Sequence, residues 1–226
     1  MKNFMKQAPI IIIAVFMVLA SCSKENPQEP APDPTETPTP TPYYVDDFED
    51  GDIVNALTNT WMYTVQGGDS RVDDFGLSTG AEKNGSYSLK VTGYAEAEVD
   101  GGSEYWGLIS TNSGATSGAD PIDVTGYNEF KFSSYLGGTT TGDAYVNFNI
   151  SISNGTDAAW GTLMADYDPV FREYAVDMYG LTLNGAAYND VYSSVKQITF
   201  TIYAYSPTQY DGAEIEFFVD DIRFSR

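Results

Sequence analysis

Carboxylates are concentrated at both ends of the sequence that follows residue 42. The segment from Val45 reads VDDFEDG, and the segment from Phe217 reads FFVDDIRF. Alternate residues of an extended strand share a side, so we expect Asp220 among apolar neighbours, where an unpaired carboxylate is costly. Two arrangements would remove that cost. One is a hard cation such as Ca²⁺, which takes about six to eight oxygen ligands. The other is pairing of Asp220 with Arg223 or with a backbone amide.

The residues that several common kinds of catalytic site require are missing from the sequence. It contains no histidine, and its single cysteine is Cys22. Ser-His-Asp catalysis, Cys-His catalysis and histidine-based zinc sites are therefore excluded. Residues 43–226 hold 28 acidic side chains, but no pair has the spacing on an alternating strand that β-sandwich glycosidases use. We predict that the protein is not an enzyme.

The charge of the chain restricts its partners. Residues 43–226 contain 28 acidic and 8 basic side chains. Such a surface repels phosphate backbones, so we expect no nucleic-acid partner. Neutral polymers and cations stay open as ligands, while solubility alone also accounts for most of these acids.

The first residues have the features of an export signal. Lys2 and Lys6 precede an apolar run over residues 10–19, which is too short to span a bilayer. The sequence Leu-Ala-Ser-Cys then ends at Cys22 and resembles the bacterial lipobox. We predict a lipoprotein signal peptide over residues 1–21 and lipidation of Cys22, which would anchor the protein in a membrane. The alternative is an ordinary secretory signal with a chance cysteine.

The next segment, residues 22–42, is rich in proline and threonine. Proline fixes φ and lacks an N–H, so this segment favours extended conformations and cannot form a core. We predict a linker that holds a single domain, residues 43–226, away from the lipid. Ser23, Lys24 and Glu25 follow the cysteine, and the lack of an aspartate at the second position favours the bacterial outer membrane. We predict a lipid-anchored protein of that membrane, exposed at the cell surface.

Apolar residues in the domain recur with a period of two. The segments 144–153 (AYVNFNISIS) and 197–205 (QITFTIYAY) alternate strictly between apolar and polar residues. This alternation predicts strands with one buried and one polar face. Glycine-containing dipeptides, including Gly137-Gly138 and Asn154-Gly155, are expected to form turns between strands. The pattern predicts an all-β sandwich or barrel with at most one short helical turn at residues 189–195.

Several short motifs occur in an order typical of a known family. They are the opening DDFE motif from Asp46, Trp61, the segment KNGSYSLKV from Lys83, the segment YWG from Tyr105, and the closing FVDDIRF from Phe218. Together they resemble carbohydrate-binding modules with the galactose-binding-like jelly-roll fold. The likeness is nearest to family eleven, which is known for binding mixed-linkage β-glucan and cellulosic chains. It covers essentially all of residues 43–226 and implies a β-sandwich jelly roll with one concave sheet.

The resemblance also implies a structural Ca²⁺ that joins the first strand to the last. Glu49 and Asp220 match the acidic residues of the two end motifs, and backbone carbonyls near Lys83 and Asn84 would complete the ligands. The ion is expected to stabilise the fold and to take no part in catalysis.

In such modules aromatic rings on the concave sheet stack on sugar rings. Tyr105 and Trp106 are adjacent and point to opposite faces, and we predict that Tyr105 lies in the cleft and Trp106 in the core. The segment after Asn154 lacks the family's arginine, which Arg172 would replace only if the next strand presents it. The predicted glycan-binding residues are Trp61, Tyr63, Tyr105, Tyr145, Asn147, Asn149, Trp160 and Tyr188.

These observations favour non-catalytic binding of a β-glucan-like polysaccharide at the bacterial surface, with a surface transporter or a glycosidase as a partner. The alternative is a structural or adhesive lipoprotein that binds protein or envelope material. That alternative predicts buried aromatics and a covered sheet, whereas glycan binding predicts an exposed row of aromatics.

Overall fold

The computed structural model describes residues 41–80, 85–164 and 166–226. The predicted signal peptide, the lipidation site Cys22 and all of the linker except residues 41 and 42 lie outside the described residues. The chain from Pro40 to Arg226 forms one compact unit. Among the described residues, no helix is long and apolar enough to cross a membrane.

Strands make up most of this unit. The described residues form β1 (Tyr43–Asp46), β2 (Met62–Gln66), β3 (Arg71–Ser78), β4 (Ser88–Glu96), β5 (Val99–Asp100), β6 (Tyr105–Asn112), β7 (Glu129–Thr140), β8 (Tyr145–Ser153), β9 (Ala158–Met164), β10 (Asp168–Asp177), β11 (Thr182–Leu183), β12 (Gln197–Ser206) and β13 (Gly212–Ser225). A 3₁₀ turn, Met178–Gly180, follows β10, and a short helix α1, Tyr188–Tyr192, precedes β12.

The strands form two antiparallel sheets. The six-stranded sheet has the order β10-β7-β13-β4-β3, with β1 paired to β13. The seven-stranded sheet has the order β11-β9-β8-β12-β6-β2, with β5 paired to β6. The chain passes repeatedly from one sheet to the other, and the two sheets pack face to face. The prediction of an all-β sandwich of the jelly-roll type is confirmed.

The core lies between the sheets and follows the predicted alternation. In β8 the residues Val146, Phe148, Ile150 and Ile152 are buried, and the residues between them face outward. The same alternation holds in β12. Phenylalanines from both sheets meet at the centre, where the rings of Phe132 and Phe200 are 4.9 Å apart. Burial of these faces supplies the main free energy of folding.

One predicted turn is wrong. Gly137 and Gly138 lie inside β7, where they pair with Glu216 and Ile215 of β13. A Cβ at Gly138 would overlap the carbonyl oxygen of Glu214, and φ at this glycine is +145°. Here glycine permits close approach of two strands, a role that the dipeptide alone does not distinguish from a turn.

Candidate functional site

The outer face of the seven-stranded sheet carries a continuous series of aromatic rings. The register places Tyr145 of β8 and Trp106 of β6 on either side of Tyr205 of β12. The ring of Tyr205 lies 5.5 Å from Tyr145 and 5.6 Å from Tyr203, and Tyr203 lies 6.0 Å from Trp106. We call these four residues the aromatic row. Their spacing allows each ring to hold its neighbour in place.

A groove lies beside the aromatic row. Its volume is about 480 Å³, within the range of about 300–1,000 Å³ that is usual for ligand pockets. Trp160 of β9 is 46% exposed and lines the groove, separated from Trp106 by β8 and β12. The lining residues are Gly101, Trp106, Asn149, Trp160, Tyr203 and Tyr205.

Short polar side chains lie between the aromatic row and Trp160. Asn149 of β8 is opposite Thr201 of β12 and Thr162 of β9, and Thr201 is opposite Ser110 of β6. The amide oxygen of Asn149 is buried and has no hydrogen-bond partner among the described residues. The groove therefore combines flat apolar rings with amide and hydroxyl groups that can pair with a polar ligand.

One end of the aromatic row is held by a carboxylate. The hydroxyl of Tyr145 donates to Glu104, with an oxygen–oxygen distance of 2.6 Å. This hydrogen bond, together with burial and the negative charge of Glu104, raises the pKa of Tyr145 to about 12. Tyr145 therefore keeps its proton at neutral pH, and the turn that joins β5 to β6 is tied to β8 at the end of the groove.

The two adjacent aromatics of the YWG segment occupy positions opposite to those predicted. Trp106 pairs with outward-facing Tyr205 and lines the groove, whereas Tyr105 pairs with Ser206, which is fully buried. Tyr105 therefore lies on the inward side of β6 with Ile109, and Trp106 is not a core residue. Neighbouring residues always have opposite orientations, but only the pairing register decides which one faces outward.

Trp61 was predicted to line the cleft and lies instead in the core. It is 1% exposed, and its ring stacks on Phe200 at 6.2 Å. Its indole N–H donates to Asp46 at 2.7 Å, and the amide of Phe48 donates to the same carboxylate at 2.9 Å. Burial outweighs these two hydrogen bonds and raises the pKa of Asp46 to about 7. Trp61 cannot contact a glycan in this position.

The other predicted residues fall into two groups. Tyr63 of β2 is opposite inward-facing Thr111, and its ring lies 5.2 Å from Phe75 of the other sheet, so it lies at the sandwich edge and outside the groove lining. Tyr188 packs between two other tyrosines beyond the groove lining. The predicted residues that share the outer face of the seven-stranded sheet are Tyr145, Asn147, Asn149 and Trp160.

The predictions missed Tyr203 and Tyr205, which lie on the polar side of the alternating segment 197–205. The sequence does contain a signal for them. At other outward positions the neighbouring strands carry serine, threonine and asparagine, whereas this segment carries large aromatic residues. Arg172 belongs to β10 of the six-stranded sheet and forms an ion pair with Asp168 at 2.7 Å. It does not take the place of the missing groove arginine.

A second, smaller cavity lies beside the six-stranded sheet. We call it the acidic cavity; its volume is about 180 Å³, and it is lined by Tyr44, Asp47, Glu49, Gly85, Asp220 and Asp221. Glu49 accepts hydrogen bonds from the amides of Ser86 at 2.7 Å and Tyr87 at 3.0 Å. Glu49 thereby joins the segment after β1 to the segment before β4.

Asp220 does not face the core, contrary to the prediction. The register of β13 shifts between Asp220 and Arg223, and Asp221 has a φ of +57°. This bulge lets Asp220 face the acidic cavity while Ile222 and Phe224 return to the core. Arg223 forms ion pairs with Asp221 and Glu173.

The donor atoms at the acidic cavity suit a hard cation, since Glu49 and Asp220 both line it and Asp220 is 2% exposed. Within the described ranges, no group of three or more acidic side chains converges closely enough to hold a metal alone. Carbonyl oxygens would have to supply further ligands. Lys83 and Asn84, the predicted source of those carbonyls, lie outside the described residues.

Comparisons with known proteins gave matches among solved structures alone. No family model matches the chain, and no curated protein matches it.

Carbohydrate-binding modules are among the similar structures. A family 11 module from Clostridium thermocellum, solved with a β-1,3-1,4-mixed-linked tetrasaccharide, has 13% identity and a TM-score of 0.48, with 81% of this chain and 95% of that chain covered. A family 30 module of a cellulosomal cellulase from Clostridium thermocellum has 14% identity and a TM-score of 0.47, with coverage of 80% and 96%. A module from Caldicellulosiruptor saccharolyticus, solved with mannohexaose, has 15% identity and a TM-score of 0.41, with coverage of 83% and 98%.

Proposed function

We propose that residues 43–226 bind a neutral polysaccharide in the groove without cleaving it. The observation that carries this proposal is the aromatic row with Trp160, on outward positions of four strands around one groove. The C–H face of a sugar ring is apolar, and its hydroxyls surround the edge. Aromatic rings beside amide and hydroxyl groups match both properties.

The charge of the sheet supports a neutral ligand. None of the strands of the seven-stranded sheet contains lysine or arginine, whereas five strands of the six-stranded sheet contain one basic residue each. The groove therefore offers no cation to a uronate or sulfate group, and the net negative charge of the domain repels polyanions. A β-glucan-like chain is the ligand that we infer, in line with the resemblance of the sequence motifs.

The groove lining favours binding without hydrolysis. Glycoside hydrolysis uses two carboxyl groups that flank the scissile bond, separated by about 5–10 Å. None of the six lining residues is acidic. Glu104 lies near one end of the groove, where it accepts a hydrogen bond from the Tyr145 hydroxyl, and the lining supplies no carboxylate to act with it.

The proposed setting is the bacterial cell surface. Lipid on Cys22 would anchor the chain in the outer membrane, and residues 22–42 would act as an extended spacer on the order of 50 Å long. In this setting the groove would capture polysaccharide for a surface transporter or a glycosidase. The adhesive alternative required a covered aromatic face, and it is less well supported because Trp160 and Tyr145 are exposed.

We also propose that the acidic cavity holds a structural Ca²⁺, with Glu49 and Asp220 among its ligands. The bound ion would supply positive charge next to a carboxylate that is almost fully buried. Glu49 positions the segment at Ser86 and Tyr87 through its two amide hydrogen bonds. The ion would therefore stabilise the sandwich and would leave the groove unchanged.

Affinity gel electrophoresis tests the groove. The full-length chain in detergent is run through gels that contain mixed-linkage β-glucan, xyloglucan, xylan or mannan. We expect retardation by at least one polymer, and loss of about tenfold or more in affinity for Trp106→Ala and Trp160→Ala, because each change removes an aromatic stacking surface.

Tyr210→Ala is the matched control, since Tyr210 is 60% exposed and does not line the groove. If both tryptophan variants are retarded as strongly as the wild type, the groove is not the binding site. No retardation by any polymer would contradict polysaccharide binding and leave the adhesive alternative.

A further inference from the structure

The most exposed large aromatic ring of the described residues lies outside the groove. Tyr179 is 63% exposed and lies in the 3₁₀ turn that links β10 of one sheet to β11 of the other. Single exposed aromatics are ordinary on protein surfaces. Tyr179 differs because its ring is parallel to that of Tyr188, with the centroids 4.2 Å apart and an interplanar angle of 8°.

The ring beneath Tyr179 is itself fixed. Tyr188 contacts Tyr192 at a centroid distance of 4.2 Å, and its hydroxyl donates to the carbonyl of Tyr127 at 3.1 Å. Tyr192 is fully buried and donates to the carbonyl of Met178 at 3.0 Å. Tyr179, Tyr188 and Tyr192 therefore form a series of contacting rings that extends from the interior of the domain to the solvent.

The backbone of the turn is held as well. The amide of Tyr179 donates to the carboxylate of Asp177 at 3.0 Å, and the amide of Met178 donates to the carbonyl of Asn128 at 2.9 Å. A ring in this setting loses little conformational entropy when a ligand covers it, and such preorganisation favours binding. The Asp177 carboxylate lies at the same turn and is exposed.

We propose that the outer face of Tyr179 is a second contact site for a neutral polysaccharide. Tyr188 covers one face of the ring, and the other face is a flat apolar platform for the C–H face of one sugar. The exposed Asp177 carboxylate is a suitable acceptor for sugar hydroxyls. The ligand class is that of the proposed function, but the platform shares no residue with the groove.

The platform and the groove lie within reach of one polymer chain. Thr182 of β11 is opposite Trp160 of β9, and Tyr179 precedes Thr182 by three residues. Three residues span at most about 11 Å, and paired residues are about 5 Å apart, so the Cα atoms of Tyr179 and Trp160 are within about 16 Å. A polysaccharide that contacts both sites would gain avidity that a short oligosaccharide cannot gain.

The test compares polymers with oligosaccharides. Mixed-linkage β-glucan, xyloglucan, xylan and mannan are used, each as the polymer and as a short oligosaccharide, with the full-length chain in detergent. For Tyr179→Ala we expect the apparent affinity for the bound polymer to fall about tenfold, with the affinity for the oligosaccharide unchanged within about twofold. Tyr179→Phe keeps the platform, and Tyr210→Ala removes an equally exposed ring elsewhere, so both are expected to bind like the wild type.

Aromatic NMR signals of the Tyr179 ring separate this proposal from the groove. We expect them to shift with the polymer in the wild type and also in Trp106→Ala, where the groove is disabled. If no polymer shifts the Tyr179 signals in the wild type or in Trp106→Ala, the second site is overturned. Loss of retardation in Trp106→Ala would in that case still support the groove. If the Tyr179 signals shift and Trp106→Ala is retarded as strongly as the wild type, the second site is supported and the groove is contradicted.

Discussion

The groove and the acidic cavity are built in different ways on opposite sheets. The residues of the aromatic row project outward from regular strands and contact one another. The acidic cavity forms where the chain departs from regular strands, at the bulge of β13 and the segment after β1. Residues at the groove are therefore replaceable with little effect on folding, whereas residues at the cavity join segments that are distant in sequence.

The outer faces of the two sheets also differ in how their side chains are paired. Each base of the six-stranded sheet forms an ion pair, for example Lys90 with Asp74 at 3.0 Å and Lys131 with Glu129 at 2.8 Å. Tyr135, on the same outer face, packs edge-on against Phe218 at 5.6 Å. This face holds its basic side chains in ion pairs, while the other face leaves aromatic rings open to a ligand.

Two tryptophans provide the largest expected contrast. Trp61 is 1% exposed and donates to Asp46, the residue before Asp47 of the acidic cavity, whereas Trp160 is 46% exposed in the groove. We expect Trp61→Ala to lower the free energy of unfolding by about 3–5 kcal/mol because it empties a core site. Trp160→Ala should change it by about 0.5 kcal/mol or less. Urea unfolding followed by circular dichroism measures both values, and equal losses would contradict the separation of the two regions.

The pH dependence of stability should follow Asp46. Its pKa is raised from 3.8 to about 7 in the folded protein, so the folded state holds a proton that the unfolded state releases between these values. The free energy of unfolding should therefore fall as pH rises from about 4 to about 7, by an amount on the order of 3 kcal/mol for this group.

Asp46→Asn should remove that contribution. The difference in the free energy of unfolding between wild type and variant therefore separates the effect of Asp46 from that of the other carboxylates. Urea unfolding at several pH values measures the difference. A difference that does not change between about pH 4 and 7 would show that the proton is not held at Asp46.

Chelation of calcium is expected to have a slightly smaller effect. An ion present at about 100 times its dissociation constant stabilises the folded state by about 2.7 kcal/mol, so EDTA should lower the melting temperature by about 5–10 °C. Asp220→Asn should abolish the response, while Asp143→Asn, an exposed carboxylate away from the cavity, should retain it. Calorimetry with and without EDTA measures this. Loss of polysaccharide binding in EDTA well below the melting temperature would show that the groove depends on the acidic cavity.

The sequence predicts the regular parts of the molecule better than its irregular parts. The alternation in β8 and β12 correctly identifies their buried and outward residues, because period two is a local property. Trp106 and Asp220 were misplaced because their orientation depends on strand register and on a bulge, which are set by contacts with other strands. Trp61 was misplaced because its indole N–H finds a buried partner in Asp46, which no spacing rule indicates.

The pairing of β1 with β13 has a mechanical consequence. Tyr43, the first residue of β1, is opposite Phe224 near the end of β13, and only three residue pairs join the two strands. Tension applied through the residues before Tyr43 enters the domain at this short ladder and tends to peel β1 away first. The next fixed point along the chain is Glu49, held by the amides of Ser86 and Tyr87. The resistance of the domain to a pull along its N-terminal segment is therefore concentrated at β1 and the acidic cavity, far in sequence from the strands that carry the groove.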